Sequence, residues 1–203
     1  MKNMLLGAAV ALSLGLPGAA LAQRTPAATV VVVDTDRIYR DCNACRTAQT
    51  QLQTLGTQFQ QRAQALGQPI ETELQSIQAA ANAARSQSGA NRTAAETALQ
   101  QRAQRLDQQR TTAQQELARI EQNLRSTQAN VLQQINARLN PIINQVMTAR
   151  GANVAVDVNA TLAHSGALNV TDQVLQQLNA ALPSVTVAPL PAGQQPAPAQ
   201  PGR

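Results

Sequence analysis

Two short apolar runs lie far apart in this chain, and nearly everything between them is helical in pattern. The first, Thr29–Val33, contains Val30-Val31-Val32-Val33, apolar without alternation, which suits a strand covered on both faces. The second is Val154–Val158. From the first run a helical pattern extends to about Gln87. A polar break follows at Ser88-Gly89-Ala90-Asn91, and a second helical pattern continues to Ala149. Two long helices folded back at such a break return the chain to its start, so the two strands can pair at the base. The expected class is α+β: a small β-strand head carrying a long antiparallel α-helical hairpin. An arm of that size works through surface rather than through a pocket.

The arm has a readable period. Apolar positions fall at Leu52, Leu55, Phe59, then Ala63, Leu66, Ile70, then Leu74, Ile77, Ala81. The return helix gives Leu117, Ile120, Leu124, then Gln128, Val131, Ile135, then Leu139, Ile142, Val146. Steps of three, four and four make an eleven-residue repeat, about 3.67 residues per turn, close to a straight helix. Facing seams of this kind build an antiparallel hairpin, and helices of ~50 residues reach roughly 75 Å. The seam is thin, since Ala63, Ala81 and the polar Gln128 occupy places in it. Pro69 and Pro141 fall inside the pattern without shifting its phase; each removes one helix bond and should loosen the arm. Opening is expected to be easiest between Pro69 and the tip.

Local signals set the ends. Asp34-Thr35-Asp36 supplies N-cap oxygens straight after the first strand. Ser88-Gly89 stops the outgoing helix, and Thr93-Ala94-Ala95-Glu96 reads as a capping box opening the return helix. A last helix is expected over Thr171–Leu182, with Val174, Leu175 and Leu178 on one face. The division is then a head from 28–40 and 150–188, an arm from 41–149 with its tip near 88–92, and a Pro-rich tail, 189–203, expected to be disordered. Few short strands and one helix make a marginal head. Apolar strand edges invite pairing with further copies, and a closed ring is the economical arrangement. Val31, Val33, Val154 and Val156 are the candidate assembly residues.

Residues 1–22 read as an export leader: Lys2, the apolar Leu5–Ala20, and a small-x-small site at Ala20-Leu21-Ala22. Such a leader serves periplasmic and extracellular proteins alike; the periplasm is the expected compartment. The formal charge is +5, and without Lys2 every remaining cation is Arg, the better fork donor to carboxylate and phosphate. Acidic polypeptides, lipopolysaccharide or an anionic membrane surface are therefore candidate partners; export argues against nucleic acid. Beyond the leader only Tyr39 and Phe59 are aromatic, far fewer than a compact core normally uses.

At this point the chain resembles the Skp/OmpH periplasmic chaperones, over about Ala28 to Leu182. The strand and helix start, Val30-Val31-Val32-Val33-Asp34-Thr35-Asp36-Arg37-Ile38-Tyr39, are similar to that family's opening segment. Ser88-Gly89-Ala90-Asn91-Arg92-Thr93 is similar to its hairpin tip. Asn153-Val154-Ala155-Val156-Asp157-Val158-Asn159-Ala160, followed by Leu168-Asn169-Val170-Thr171-Asp172-Gln173-Val174-Leu175, is the most specific match. The resemblance implies a homotrimer whose strands pool centrally while three arms surround a cavity. It implies ATP-independent holding of unfolded outer-membrane proteins, with no catalytic residue and no cofactor. The arms here are richer in Gln and Ala than is usual, and a cysteine pair and a Pro-rich tail are added.

Three groups of side chains remain. Cys42-Asn43-Ala44-Cys45 sits at the start of the first long helix, beside the seam positions Asp41, Ala44 and Ala48. It can be a structural disulfide, a pair of free thiols, or a redox or metal site; the last lacks a thioredoxin-like βαβ context and further ligands, His164 being distant. Asp34 and Asp36 suit capping better than paired-carboxylate chemistry. In the distal arm Arg85, Arg92, Arg102, Arg105, Arg110, Arg119 and Arg125 outnumber Glu96, Asp107, Glu116 and Glu121. This is either a solvated, ion-paired face or a mildly attractive field for acidic clients, with Arg85, Arg92, Arg102 and Arg105 as candidate contacts. No phosphate loop and no Ser/His/Asp grouping occurs, so a non-enzyme is expected. The leading reading is a holdase; the rivals are a structural coiled-coil spacer of the envelope and a thiol-redox protein.

Overall fold

The computed structural model describes residues 27–191. The leader expected over 1–22, and 192–203 of the Pro-rich tail, lie outside the described residues. The order is β1 (Val30–Val33), α1 (Thr35–Asp41), α2 (Asn43–Ala84), α3 (Gly89–Ala149), β2 (Val154–Asp157) and α4 (Thr171–Ala181), with 3₁₀ turns at Val158–Ala160 and Gly166–Leu168. The class is α+β, with helical arms on a small two-stranded head.

β1 and β2 pair in parallel, in register from Val30 against Val154 to Val33 against Asp157. Parallel pairing needs a long crossover, and here the entire hairpin is that crossover. On its other side β1 bridges Asn169, and the Val170 N–H donates to the Val32 carbonyl at 2.9 Å. β1 is thus enclosed, with Val31, Val32 and Val33 all buried. Side chains lock both of its ends. Asn153 accepts from the Thr29 N–H at 2.9 Å and donates to the Ala27 carbonyl at 3.0 Å. Asp157 accepts from the Thr35 hydroxyl and N–H and from the Asn159 N–H. Thr171, fully buried, accepts from the Asp34 N–H at 2.8 Å. Asp34 itself caps α1 by accepting from the Arg37 N–H.

α1 does not continue into α2. Cys42 stands in an extended conformation between them, ending one helix and capping the next, with its Sγ accepting from the Cys45 N–H at 3.0 Å. Cys42 and Cys45 are joined in a disulfide. Both are buried, whereas Asp41, read above as a seam position, is exposed and pairs with Arg37. The break turns the helix face, which carries the cysteines inward and Asp41 outward.

α2 and α3, at 42 and 61 residues, extend about 63 and 92 Å. Pro69 and Pro141 both lie inside them. All nine expected seam positions of α2 are half-buried. On α3 Leu117, Ile120 and Leu124 are half-buried, and Val131, Ile135, Leu139, Ile142 and Val146 are buried. Gln128 is exposed, and its place is taken by Thr127, 2 % exposed, beside the equally buried Ser126. The reason is a third element: residues 184–190 run along α3 there, so α3 is covered from two sides at adjacent positions. Pro189 and Leu190, expected in the disordered tail, belong to this packed segment, and Leu190 is buried.

The turns also differ from expectation. α2 ends at Ala84 rather than near Gln87, and α3 begins at Gly89, whose φ of 59° makes the reversal. Thr93 is therefore already inside α3, and Glu96 pairs with Arg92 instead of closing a capping box. At the other end Gly151 (φ 67°) stops α3. Its N–H donates to Thr148 and that of Ala152 to Met147, the paired bonds of a Schellman turn.

Asp157 ties the end of β2 to the start of α1, so Asp157→Ala should lower stability by about 1–3 kcal/mol at neutral pH. Urea denaturation at one fixed protein concentration measures this. The hydrogen bond from the Thr35 hydroxyl, with the Asn159 and Thr35 N–H groups, holds the Asp157 carboxyl below the usual carboxylate range against the opposing effect of burial. A depressed folded value means the contribution is complete above the unfolded pKa and is lost as pH falls through the folded one. The gap between the two proteins should then narrow on acidification below pH ~4. A gap unchanged in acid would assign the loss to packing alone.

Candidate functional site

The molecule divides into a dry head and a wet arm. In the head, β1, α1, α4 and the root of α3 share one apolar core, including Ile38, Val146, Val174 and Leu178, each at 0 % exposure. Along the arm only Ala84, Leu106 and Ala113 are buried apolar residues distal to Leu66. An amphipathic pair with half-exposed seams leaves its apolar stripe within reach of a partner.

Cavities open along the α2–α3 seam, and two of them are similar in size. One, about 460 Å³, is lined by Leu66, Pro69, Ile70, Arg105, Thr112 and Ala113. The other, about 440 Å³, lies nearer the root between Leu55, Phe59, Ile120 and Leu124, and is bordered by Val187 and Pro189 of the segment that follows α4. Each is mostly apolar with a cation at its edge, Arg105 in the first and Arg62 in the second.

Two ion pairs cross between the helices. Arg102 grips both carboxylate oxygens of Glu73, at 2.9 and 3.0 Å, and donates to the Ser76 hydroxyl at 2.7 Å. Arg62 reaches Glu116 at 2.8 Å. The Arg102 hydrogen bond holds the Glu73 carboxyl below its usual range, and the Arg62 hydrogen bond does the same for Glu116; burial opposes both. The Glu73 clasp sits in the stretch beyond Pro69 where opening was expected to be easiest.

The candidate anion contacts therefore separate. Arg102 is spent on closing the arm, and Arg92 pairs with Glu96 at 2.9 Å. Arg85 stays exposed at the end of α2, and Arg105 at the edge of the distal cavity. Glu73 and Glu116 carry the signal that composition hid: each faces an Arg of the other helix, a pairing visible only once the hairpin register is known.

The candidate assembly valines separate too. Val31 and Val33 are sealed in the protomer's own core, because α1, α3 and α4 close over β1. β2 is the edge. Val154 is 40 % exposed and Val156 half-buried, and Leu162 and Leu168 project from the loop that follows. Among the described residues no group of three or more His, Cys, Asp or Glu is placed to hold a metal, and no helix is long and apolar enough to cross a membrane. The sulfurs of Cys42 and Cys45 are enclosed, unlike an attackable redox centre.

Comparison with known proteins fits this geometry. The family model for outer membrane protein (OmpH-like) matches residues 29–178. A solved structure from Caulobacter crescentus, described as a candidate OmpH-like outer membrane chaperone, is similar in fold at a TM-score of 0.64 and 20 % identity. The match covers 84 % of this chain and 95 % of that one. No curated protein matches the chain.

If the Glu73–Arg102 clasp closes the distal arm, Glu73→Gln should speed amide hydrogen exchange in α2 and α3 beyond Pro69 and leave the root unchanged. Added salt should reproduce part of the effect in the unaltered chain. Equal exchange in both proteins would show that the apolar seam closes the arm by itself.

Proposed function

The chain belongs to the OmpH-like outer membrane protein family, a family of chaperones, and from that membership we propose that it is an ATP-independent periplasmic holdase for unfolded outer-membrane proteins. The observation that supports this most directly is the contrast in burial. The head packs to dryness, while the arm keeps an apolar seam half-open along its length. Unfolded barrel precursors expose alternating apolar residues. Many weak contacts around one space hold such a client without a rigid fit, because each contact raises the effective concentration for the next.

The assembly completes the site. The open β2 edge, with Val154, Leu162 and Leu168 exposed beside it, is suited to pairing with further copies, and a trimeric ring would surround a cavity with three arms. Arg85 and Arg105 supply the remaining attraction for acidic clients, lipopolysaccharide or an anionic membrane surface. The spacer reading draws on the two cross-helix ion pairs, which stiffen the arm; the half-open seam favours the holdase.

The mature chain should suppress aggregation of a urea-diluted outer-membrane protein without ATP, as followed by light scattering. Its mass and small-angle scattering should give a trimer with splayed arms. Unchanged aggregation at excess chaperone rejects the holdase, and a compact monomer rejects the assembly. A double substitution, Cys42→Ser with Cys45→Ser, should leave the suppression nearly intact; its loss together with a normal circular dichroism spectrum would favour the redox reading.

A further inference from the structure

The segment after α4 is held on α3 in an unusual way. From Leu182 the chain passes Pro183 and runs antiparallel to α3, with a bend at Ala188. Gln134 meets Thr186 at two points: its amide nitrogen donates to the Thr186 carbonyl, and its carbonyl accepts from the Thr186 N–H, both at 2.9 Å. One turn further along α3, Asn130 donates to the Ala188 carbonyl at 2.9 Å. One turn further again, the Ser126 hydroxyl accepts from the Leu190 N–H at 2.9 Å.

The spacing has a simple cause. Four residues of helix rise ~6 Å and two residues of extended chain ~6.7 Å, so side chains at every fourth helical position meet every second peptide of a strand. α3 thus offers a polar ladder that does for an extended chain what a neighbouring strand would do. All four of these bonds go to the strand's backbone, which every polypeptide possesses. Side-chain selection is left to the flanks. Val185 and Val187 turn toward the apolar core and Thr186 faces out; past Ala188 the phase shifts, with Pro189 exposed and Leu190 buried. The alternation over Val185–Val187 is also that of a membrane-barrel strand. Beside Val187 the root cavity of about 440 Å³ is not filled by the segment, which leaves room for side chains larger than it brings.

We infer that the Ser126–Asn130–Gln134 ladder, with the cavity beside it, is a binding groove for extended polypeptide of alternating apolar pattern, and that residues 184–190 are its tethered internal occupant. The identification of that polypeptide as an unfolded outer-membrane client rests on the holdase reading; the groove itself does not. A tethered occupant competes at high effective concentration, so the groove opens only to clients that present several segments at once or arrive at high local concentration.

The test uses two truncations and one full-length variant. Ending the chain after Pro183 removes the occupant, and ending it after Pro191 keeps it. Val187→Asp in the full chain expels the occupant by placing a charge against the cavity while leaving the groove intact. The probe is a fluorescent peptide of the sequence Ser184–Pro191, with a synthetic barrel-strand peptide of alternating apolar residues as competitor. With a tethered occupant at a roughly millimolar effective concentration, its removal should tighten probe binding by about tenfold. The chain ending at Pro183 and Val187→Asp should both show this, and the chain ending at Pro191 should not. The strand peptide should displace the probe, and Gln134→Ala in the Pro183-ending chain should weaken binding of both. Equal probe affinity in all forms overturns the inference, as does binding that Gln134→Ala leaves unchanged or that the strand peptide cannot displace. If the Pro183-ending chain loses its helical signal, Val187→Asp decides alone. Aggregation suppression by the full chain, measured alongside, separates the two claims. Suppression without competition ends only the groove; competition without suppression supports the groove and ends the holdase.

Discussion

The structure depends on β1 being closed in by the other end of the chain. Four residues, Val30–Val33, pair with β2 on one side and touch Asn169 and Val170 on the other. None of these partners is local. Bringing them together means closing a loop that contains the whole hairpin, whose entropic cost rises only slowly with length. The compensation is concentrated. Asn153 holds the start of β1, Asp157 and Thr171 hold the exit into α1, and Arg37 meets Asp172 at 2.6 Å between the first turns of α1 and α4. Asn153, Asp157, Thr171 and the Arg37–Asp172 pair are therefore the bolts of this closure.

Once the head is closed, the arm need not be well packed. α2 and α3 are anchored at the root by Val131 through Val146 against the disulfide-bearing start of α2. Beyond that they share a seam of small and half-exposed residues, with Pro69 removing one backbone bond. Two ion pairs across the hairpin, each partly exposed, add modest and salt-sensitive closure. Stability is concentrated where the chain meets itself and is thin along the arm.

The large features were legible because they are periodic. The eleven-residue pattern of α2 needs no knowledge of its partner, and a four-valine run covered on both faces reads directly as an enclosed strand. The misreadings share one cause: each depended on a neighbour distant in sequence. Gln128 kept the period, yet Thr127 and Ser126 are buried because the segment after α4 lies against them. Thr93 and Glu96 had the spacing of a capping box, but the positive φ of Gly89 starts α3 earlier and leaves them in its second turn. Val31 and Val33 looked equivalent to Val154 and Val156 until α1, α3 and α4 closed over one strand and left the other at the edge. Asp41 shared a face with Ala44 and Ala48 only if one helix ran through Cys42, and it does not.

The least legible element was the segment 184–190, which the sequence divides between the head, to 188, and a disordered Pro-rich tail from 189. Its order does not come from its own sequence. The other half of the contact lies on α3, where Ser126, Asn130 and Gln134 share a face at four-residue spacing. The spacing alone is no signal in this chain, since Gln60, Gln64 and Gln68 repeat it on an exposed face of α2. The helix side of the contact becomes a strand-like edge of side chains only once the segment lies along it. Backbone-directed bonds of this kind favour no particular sequence and are individually weak. On the holdase reading proposed above, a surface that takes many unrelated unfolded chains and lets them go needs both properties.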